Sequence, residues 1–248
     1  MYDLDDADYL EVNPKTIFYY AKHCEKISAG SKQIKAYLSR YNHLIYHTTS
    51  PIADLKMFKT KRNDIFTIGW IGGFDGDHKE SLIELLFPAL KELTFHFKLI
   101  IIGVLKLGDV EFIKKYFQDN QNIEIEIPLE IDWNNEVDIQ KRIMLFDIGI
   151  ATLTSTEMQL SKSGIKAKQY MNNGVPVLST NLPENNTVVI DGINGFFCNT
   201  TKDFKARITQ FSSMTDSEYL KFSENARKSI VHFDHTKYFA DFEKIKTA

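Results

Sequence analysis

The sequence predicts an α/β fold built on a doubly wound parallel sheet, and three observations predict it. From Phe66 onward, short apolar runs rich in β-branched residues alternate with longer segments of helical period, as successive βαβ units require. The runs are apolar almost throughout, which suits strands covered on both faces. Hydrophobic residues make up 43% and charged residues 25% of the 248, the balance of an ordinary globular chain with a sizeable core.

The six strand candidates are FTIGWI from Phe66, FKLIIIG from Phe97, IEIEI from Ile123, DIGIA from Asp147, VPVLS from Val175 and GFFC from Gly195. Helix candidates begin near Lys79, Asp109, Glu136, Ser163 and Glu184, and three more follow from about Thr201, Asp216 and His235. Right-handed crossovers in such a sheet place a ligand beyond the carboxyl ends of the strands. The site is therefore expected in the loops GGFDGDHK, the stretch around Gly103, PLEIDW, TLTSTEMQLSKSG and TNLPENN.

Residues 1–65 read differently, as an acidic start, a helix over 14–27, a second helix over 31–41 and one short strand, HLIYH. One strand and two helices cannot cover both faces of a sheet, so this segment is expected to be the remnant of a larger domain, with its linker. The expected organisation is that remnant at 1–65, a ligand-binding domain at 66–233, and a C-terminal helix at 234–248 packing back on the N-terminal part.

A formal net charge of −3 offers no electrostatic footprint for nucleic acid. Cys24 and Cys198 are far apart and match no metal-ligand spacing, the pattern of reduced thiols. No apolar run approaches the ~20 residues of a membrane span, and the acidic N-terminus is unlike a signal peptide. A cytoplasmic protein is expected, with peripheral membrane attachment as the variant.

Residues 162–197, KSGIKAKQYMNNGVPVLSTNLPENNTVVIDGINGFF, resemble the donor-binding core of the GT-B glycosyltransferases that use nucleotide sugars and retain anomeric configuration. Lys162, Gly164, Lys166, Gln169, Tyr170, Met171, Gly174, Pro176, Val177 and Ser179 fall on the lysine-rich form of that motif, with Asp191, Gly192, Asn194, Gly195 and Phe196 after it. IGWIGGFDGDHKESL and DIGIATL resemble neighbouring strands and loops of the same Rossmann-like domain. YDLDDADYL and the stretch from SAGSKQIKAYLSRYN to HTTSPIADL resemble the close of the family's N-terminal domain. Ser161 and Gln169 stand where many relatives carry two glutamates, Asn172 replaces a small residue, and Pro183 a glycine.

The resemblance implies sugar transfer from a nucleotide diphosphate sugar to a saccharide or lipid-linked acceptor, in polysaccharide or glycoconjugate synthesis. It implies no cofactor beyond the donor substrate and no metal, and it leaves the catalytic base unassigned, on the N-terminal side of the cleft. The alternative is a non-catalytic or truncated nucleotide-sugar-binding subunit that needs a partner chain supplying the missing half.

Residue chemistry agrees with that reading. A diphosphate needs cations and backbone N–H groups, and a helix start after a parallel strand supplies both. Ser163 and Gly164 stand at such a start, and Lys162 and Lys166, four apart, project from adjoining turns toward one side. Gly72 and Gly73 end the first strand where backbone must approach the phosphates. Lys79, opening the next helix, answers to a lysine that some relatives carry in this loop. Gln169 can donate to and accept from ribose hydroxyls, with Asn173 further along the same face. Glu157 and Gln159 are placed to reach the sugar ring, and Glu184 and Asn185 to add sugar contacts or cap a helix. The glycines at 69, 72 and 73 do not spell the dinucleotide fingerprint. Two D-x-D triplets, beginning at Asp3 and Asp75, are read as solvated carboxylates and not as metal ligands. His78 is read as a surface residue.

Overall fold

A computed structural model describes residues 1–11 and 14–247. Two parallel sheets stand side by side. The smaller takes β1 (Tyr2–Leu4), β2 (Ile27–Ala29) and β3 (Ile45–His47) in the order β1-β2-β3, with helices α1 (Pro14–His23) and α2 (Lys32–Leu38) as crossovers. The sequence reading found one strand here where three exist. The predicted helix over 14–27 stops at His23, and ISA, three residues between charged Lys26 and Gly30, is too short to show a period. This unit has its own core, in which Leu4, Ile17, Ile27, Ile34, Leu38 and Ile45 pack together.

The larger sheet takes β4 (Thr67–Ile71), β5 (Phe97–Ile102), β6 (Ile123–Glu126), β7 (Ile148–Ala151), β8 (Val177–Ser179) and β9 (Gly195–Phe197). Their order is β6-β5-β4-β7-β8-β9, every pair parallel, so the chain reverses direction between β4 and β7. Ligands of open α/β sheets sit at that reversal. The connecting helices are α3 (Gly76–Ser81), continued through a π-helical turn at Leu82–Leu86 into α4 (Phe87–Lys91), then α5 (Leu107–Tyr116), α6 (Glu136–Ile143), α7 (Glu157–Leu160) and α8 (Ile165–Asn172). The expected helix after β8 is a single 3₁₀ turn, Asn185–Thr187. Helices α9 (Thr201–Ser213) and α10 (Asp216–Ser229) each start in a capping box, on Thr200 with Asp203 and on Thr215 with Glu218. The last helix, α11 (His235–Thr247), reaches the smaller unit, where the Lys26 ammonium donates to the Lys246 carbonyl.

The sheet separates two apolar layers. Trp70, Leu86, Phe87, Phe97, Leu99 and Phe204 fill one; Ile71, Ile100, Phe146, Tyr170, Met171 and Val177 fill the other. Trp70 and Tyr170 are fully buried, and each side chain of this size removes about 1.5 to 3 kcal/mol worth of apolar surface from water. The Tyr170 hydroxyl donates to the Ile150 carbonyl and accepts from the Ile71 amide, so α8 is bolted to β4 and β7 at the reversal. Below the site, Asp147 is wholly buried and accepts from the Asn63 and Thr67 amides, while Lys59 Nζ lies 3.1 Å from its Oδ1. That cluster fixes the linker between the two units. Cys198 is buried and Cys24 half-buried, both free. Among the described residues no helix is long and apolar enough to cross a membrane.

Candidate functional site

The carboxyl ends of β1, β4 and β7 converge on a cavity of about 450 Å³ between the two units. Its floor is the start of α8. Gly164 holds φ = 70°, a left-handed turn that lets the chain enter the helix. At any helix start the first amides lack intrahelical acceptors, and here they open beside Lys162, Ser163, Gly164 and Lys166, all on the cavity wall. Gln169 and Asn185 complete this side.

Lys166 is the focus of the electrostatics. Its Nζ lies 3.3 Å from His78 Nε2 and 5.9 Å from the centre of the Trp70 ring, and among the described residues it forms no ion pair. Burial first, and the Lys162 charge second, push its pKa down to about 8. Gly72 makes room for it, since a Cβ there would come within 2.7 Å of Lys166 Cε. Lys162 is held differently, 3.1 Å from both carboxylate oxygens of Asp6, which reaches in from the smaller unit. Ser50 spans the same boundary: its Oγ lies 3.2 Å from Ser163 Oγ and 3.1 Å from Asp5 Oδ1.

Not every expected residue is here. Gly73 is exposed beside Asp75, off the cavity wall. Lys79 faces the other way, 2.6 Å from Asp109 and over the rings of Phe74 and Phe112, because the residue after His78 on a helix turns about 100° from it. Glu157 is exposed at the head of α7 and does not border the cavity. Glu184 is buried and does not border it either. One of its oxygens accepts from the Lys32 amide at 2.8 Å; the other lies 3.4 Å from His47 Nε2, near enough for an ion pair yet out of line for a hydrogen bond. Burial pushes its pKa up, but these partners outweigh it and hold it below the usual value. Glu184 therefore ties the two units together. Asn173 is also fully buried, its amide donating to the Gln169 carbonyl. Ser161, at the position of a relative's glutamate, donates to the Glu157 carbonyl.

Several residues of the wall escaped the sequence reading, His78, Asp5 and Asp6 among them. His78 lines the cavity, and burial, followed by the charges of Lys166 and Lys162, lowers its pKa to about 3, so it is a neutral imidazole. Asp5 and Asp6 also line it. Their signal was available: they directly follow a strand-length run, where site residues of open α/β sheets sit. The second half of the motif is structural, since Asp191 accepts from the Phe197 amide and the Asn194 side chain bonds Val188, Ile190 and Ser229 around one turn.

Among solved structures, the fold is similar to HepE of Anabaena in complex with UDP-glucose, with a TM-score of 0.76 at 15% identity over 100% of this chain and 72% of that one. TarM of S. aureus, as a point mutant in complex with fondaparinux, alpha-GlcNAc-glycerol and UDP, gives 0.69 at 16% identity over 95% of this chain and 46% of that one. Sucrose-phosphate synthase of Thermosynechococcus elongatus gives 0.74 at 12% identity over 97% and 63%. The chain thus spans less than half of TarM and under two thirds of the synthase. These likenesses establish the GT-B fold. No curated protein matches the chain. Residues 77–229, more than half of the sequence and all of α8, match the family described as glycosyl transferases group 1, and the chain belongs to that family.

Proposed function

We propose that this chain binds a nucleotide diphosphate sugar in the cavity at the start of α8 and serves its transfer to a saccharide acceptor. The observation that carries this reading is Lys166, a cation packed against an aromatic ring and a neutral imidazole, with no carboxylate paired to it among the described residues, on the wall of a cavity. Holding a half-buried charge without an ion pair is costly, and an incoming anion reduces that cost. The helix amides and Lys162 add to the same field. As the bond from the sugar to the diphosphate breaks, charge grows on the departing oxygen, and Lys166 is placed to stabilise it. The acceptor oxygen takes over the anomeric carbon and loses its proton to a base that we leave unassigned.

UDP is the first donor nucleotide to try, because HepE and TarM hold it in their complexes. Calorimetric titration with UDP, GDP, dTDP and their sugars tests the reading. One of them should bind, and a Kd unchanged within about threefold in EDTA is expected, because lysines and amides take the place of a metal ion. If none binds to the folded chain, the cavity has been misread.

A further inference from the structure

Charge is unevenly spread over the smaller unit. Residues 14–44 carry six lysines and arginines against one glutamate, in a chain whose formal net charge is −3. Residues 1–11 carry five carboxylates and no lysine or arginine, and two of those carboxylates, Asp5 and Asp6, line the cavity. The acidic part therefore faces the larger unit, and the basic part lies on α1, α2 and the turns beside them. Because β1, β2 and β3 are parallel and adjacent in chain order, two right-handed crossovers put both helices on the same face of their sheet.

Helical geometry fixes what that layer presents. Ile17 and Ala21 are buried beneath α1, so Lys15, Tyr19 and Lys22, at i, i+4 and i+7, run along its opposite side, and all three are exposed. Ile34 and Leu38 are buried beneath α2, which leaves Lys32 and Lys35 exposed, with Arg40 just beyond the helix. Between the helices Phe18 stacks on Tyr37 and Tyr41, with 6.2 and 4.9 Å between ring centres, and fills the furrow. None of these five exposed cations forms an ion pair among the described residues. On α11, by contrast, Lys237, Lys244 and Lys246 are each paired with Asp241 or Glu243. Tyr19 is 59% exposed and Tyr20, on the same helix, 45%.

We propose that the α1–α2 face docks the chain on a bilayer bearing anionic lipids, as a contact with its surface and not a span. Cations without counter-ions, spread along one level face, complement such a surface. The tyrosines decide between a bilayer and a soluble polyanion: a ring with a polar tip settles where headgroups meet acyl chains, and a soluble polyanion has no apolar layer to receive it. The face runs up to the boundary with the larger unit, where the Lys32 amide meets Glu184. Docking there needs no donor in the cavity.

Co-sedimentation of the whole chain with vesicles is the test. Phosphatidylcholine vesicles containing ~30% phosphatidylglycerol should bind about tenfold or more tightly than phosphatidylcholine alone in low salt, and most of that gain should vanish near ~0.5 M salt. Each cation at such a surface is worth roughly a fivefold change in partition, so Lys15→Gln with Lys22→Gln should weaken binding about tenfold or more. Tyr19→Ser should weaken it about threefold and leave the salt dependence as it was. Lys237→Gln with Lys244→Gln takes the same charge from paired positions on α11 and should change the partition less than about twofold. Circular dichroism of each variant reports its folding. Equal binding to the two kinds of vesicle, a Lys15 and Lys22 variant that binds like the parent, or an α11 variant that loses as much would overturn the proposal. Binding to dextran sulfate with none to the anionic vesicles would assign the face to a soluble polyanion and overturn it equally.

Discussion

Lys59 and Lys166 are both lysines that burial pushes to lower pKa, yet the two regions around them have opposite designs. Lys59, at the linker, is 7% exposed and fully engaged: Asp147 at 3.1 Å, Asn63 Oδ1 at 2.9 Å and the Met144 carbonyl at 3.3 Å. Lys166, at the cavity, has a neutral histidine and the face of a tryptophan. The first charge is answered inside the protein and so holds the structure. The second forms no ion pair among the described residues, with the Asp6 and Asp75 carboxylates acting on it only from a distance, and so is available to a ligand. Lys168 stands between them: fully buried, it bonds Thr49 and the Ser50 carbonyl and lies 5.1 Å over Phe233, engaged by neutral groups that pin the linker to α8.

The largest effect should come from breaking the closed region. Asp147→Ala leaves the buried Lys59 ammonium without its counter-ion and two backbone amides without their acceptor, and breaking such a pair costs about 3 to 5 kcal/mol. The melting temperature should fall by roughly 6 to 20 °C in a domain of this size. Nucleotide affinity of the folded fraction should hardly change, because Asp147 is remote from the cavity wall. A stability loss under ~1 kcal/mol would mean that the linker is not fixed there.

At the open region the pattern should invert. Lys166→Ala removes a charge-assisted contact of about 1.5 to 3 kcal/mol, so diphosphate affinity should drop tenfold or more. Stability should hold or rise slightly, since a half-buried charge without an ion pair goes with it. If calorimetry instead finds lost stability with intact binding, the contrast between the two lysines collapses.

Much of this was legible in sequence, for identifiable reasons. The larger sheet declared itself because β5, apart from Lys98, and β7 are apolar runs separated by helices of clear period, and Lys162, Gly164, Lys166 and Gln169 came together as a motif at one helix start. Two strands of the smaller sheet were missed because YDL and ISA, three residues each with charged or glycine neighbours and no longer apolar run around them, carry no period. His78 was missed for a different reason: its role is defined by a partner 88 positions away. Glu184 was misplaced because a carboxylate near a motif reads alike whether it meets a sugar or, as here, an amide and a histidine of another unit.

The pH dependence of donor binding should sharpen the contrast further. A nucleotide sugar has no group of its own on the diphosphate that titrates near neutrality, so the protein sets the profile. An anion favours charged Lys166, whose free-site pKa is about 8. Affinity should therefore be level below pH 8 and fall as pH rises through it, by up to about tenfold per unit, 1.4 kcal/mol, until the higher pKa of the bound state is reached. His78, at about 3, should add no inflection near 6.5. A rise in affinity on acidification through that region would show a protonated imidazole and undo its assignment as the acceptor for Lys166.

The smallest effect should carry the opposite sign. Lys162, unlike Lys166, already has a counter-ion, and Asp6 occupies the ammonium with both oxygens at 3.1 Å. A diphosphate that recruits Lys162 must compete with that carboxylate and bring its own charge close to it. The pair is exposed enough, 26% for Lys162 and 47% for Asp6, that it is worth only about 0.2 to 1 kcal/mol. Asp6→Asn keeps the shape and removes the competing charge, so UDP should bind about two- to fivefold more tightly, by a margin that shrinks in high salt. The same substitution in a Lys162→Ala background should change nothing, which makes the cycle of four proteins the decisive measurement. Should Asp6→Asn weaken UDP, the carboxylate would be holding Lys162 in place for the phosphate, and Lys162 would join Lys59 among cations whose partner is part of the design.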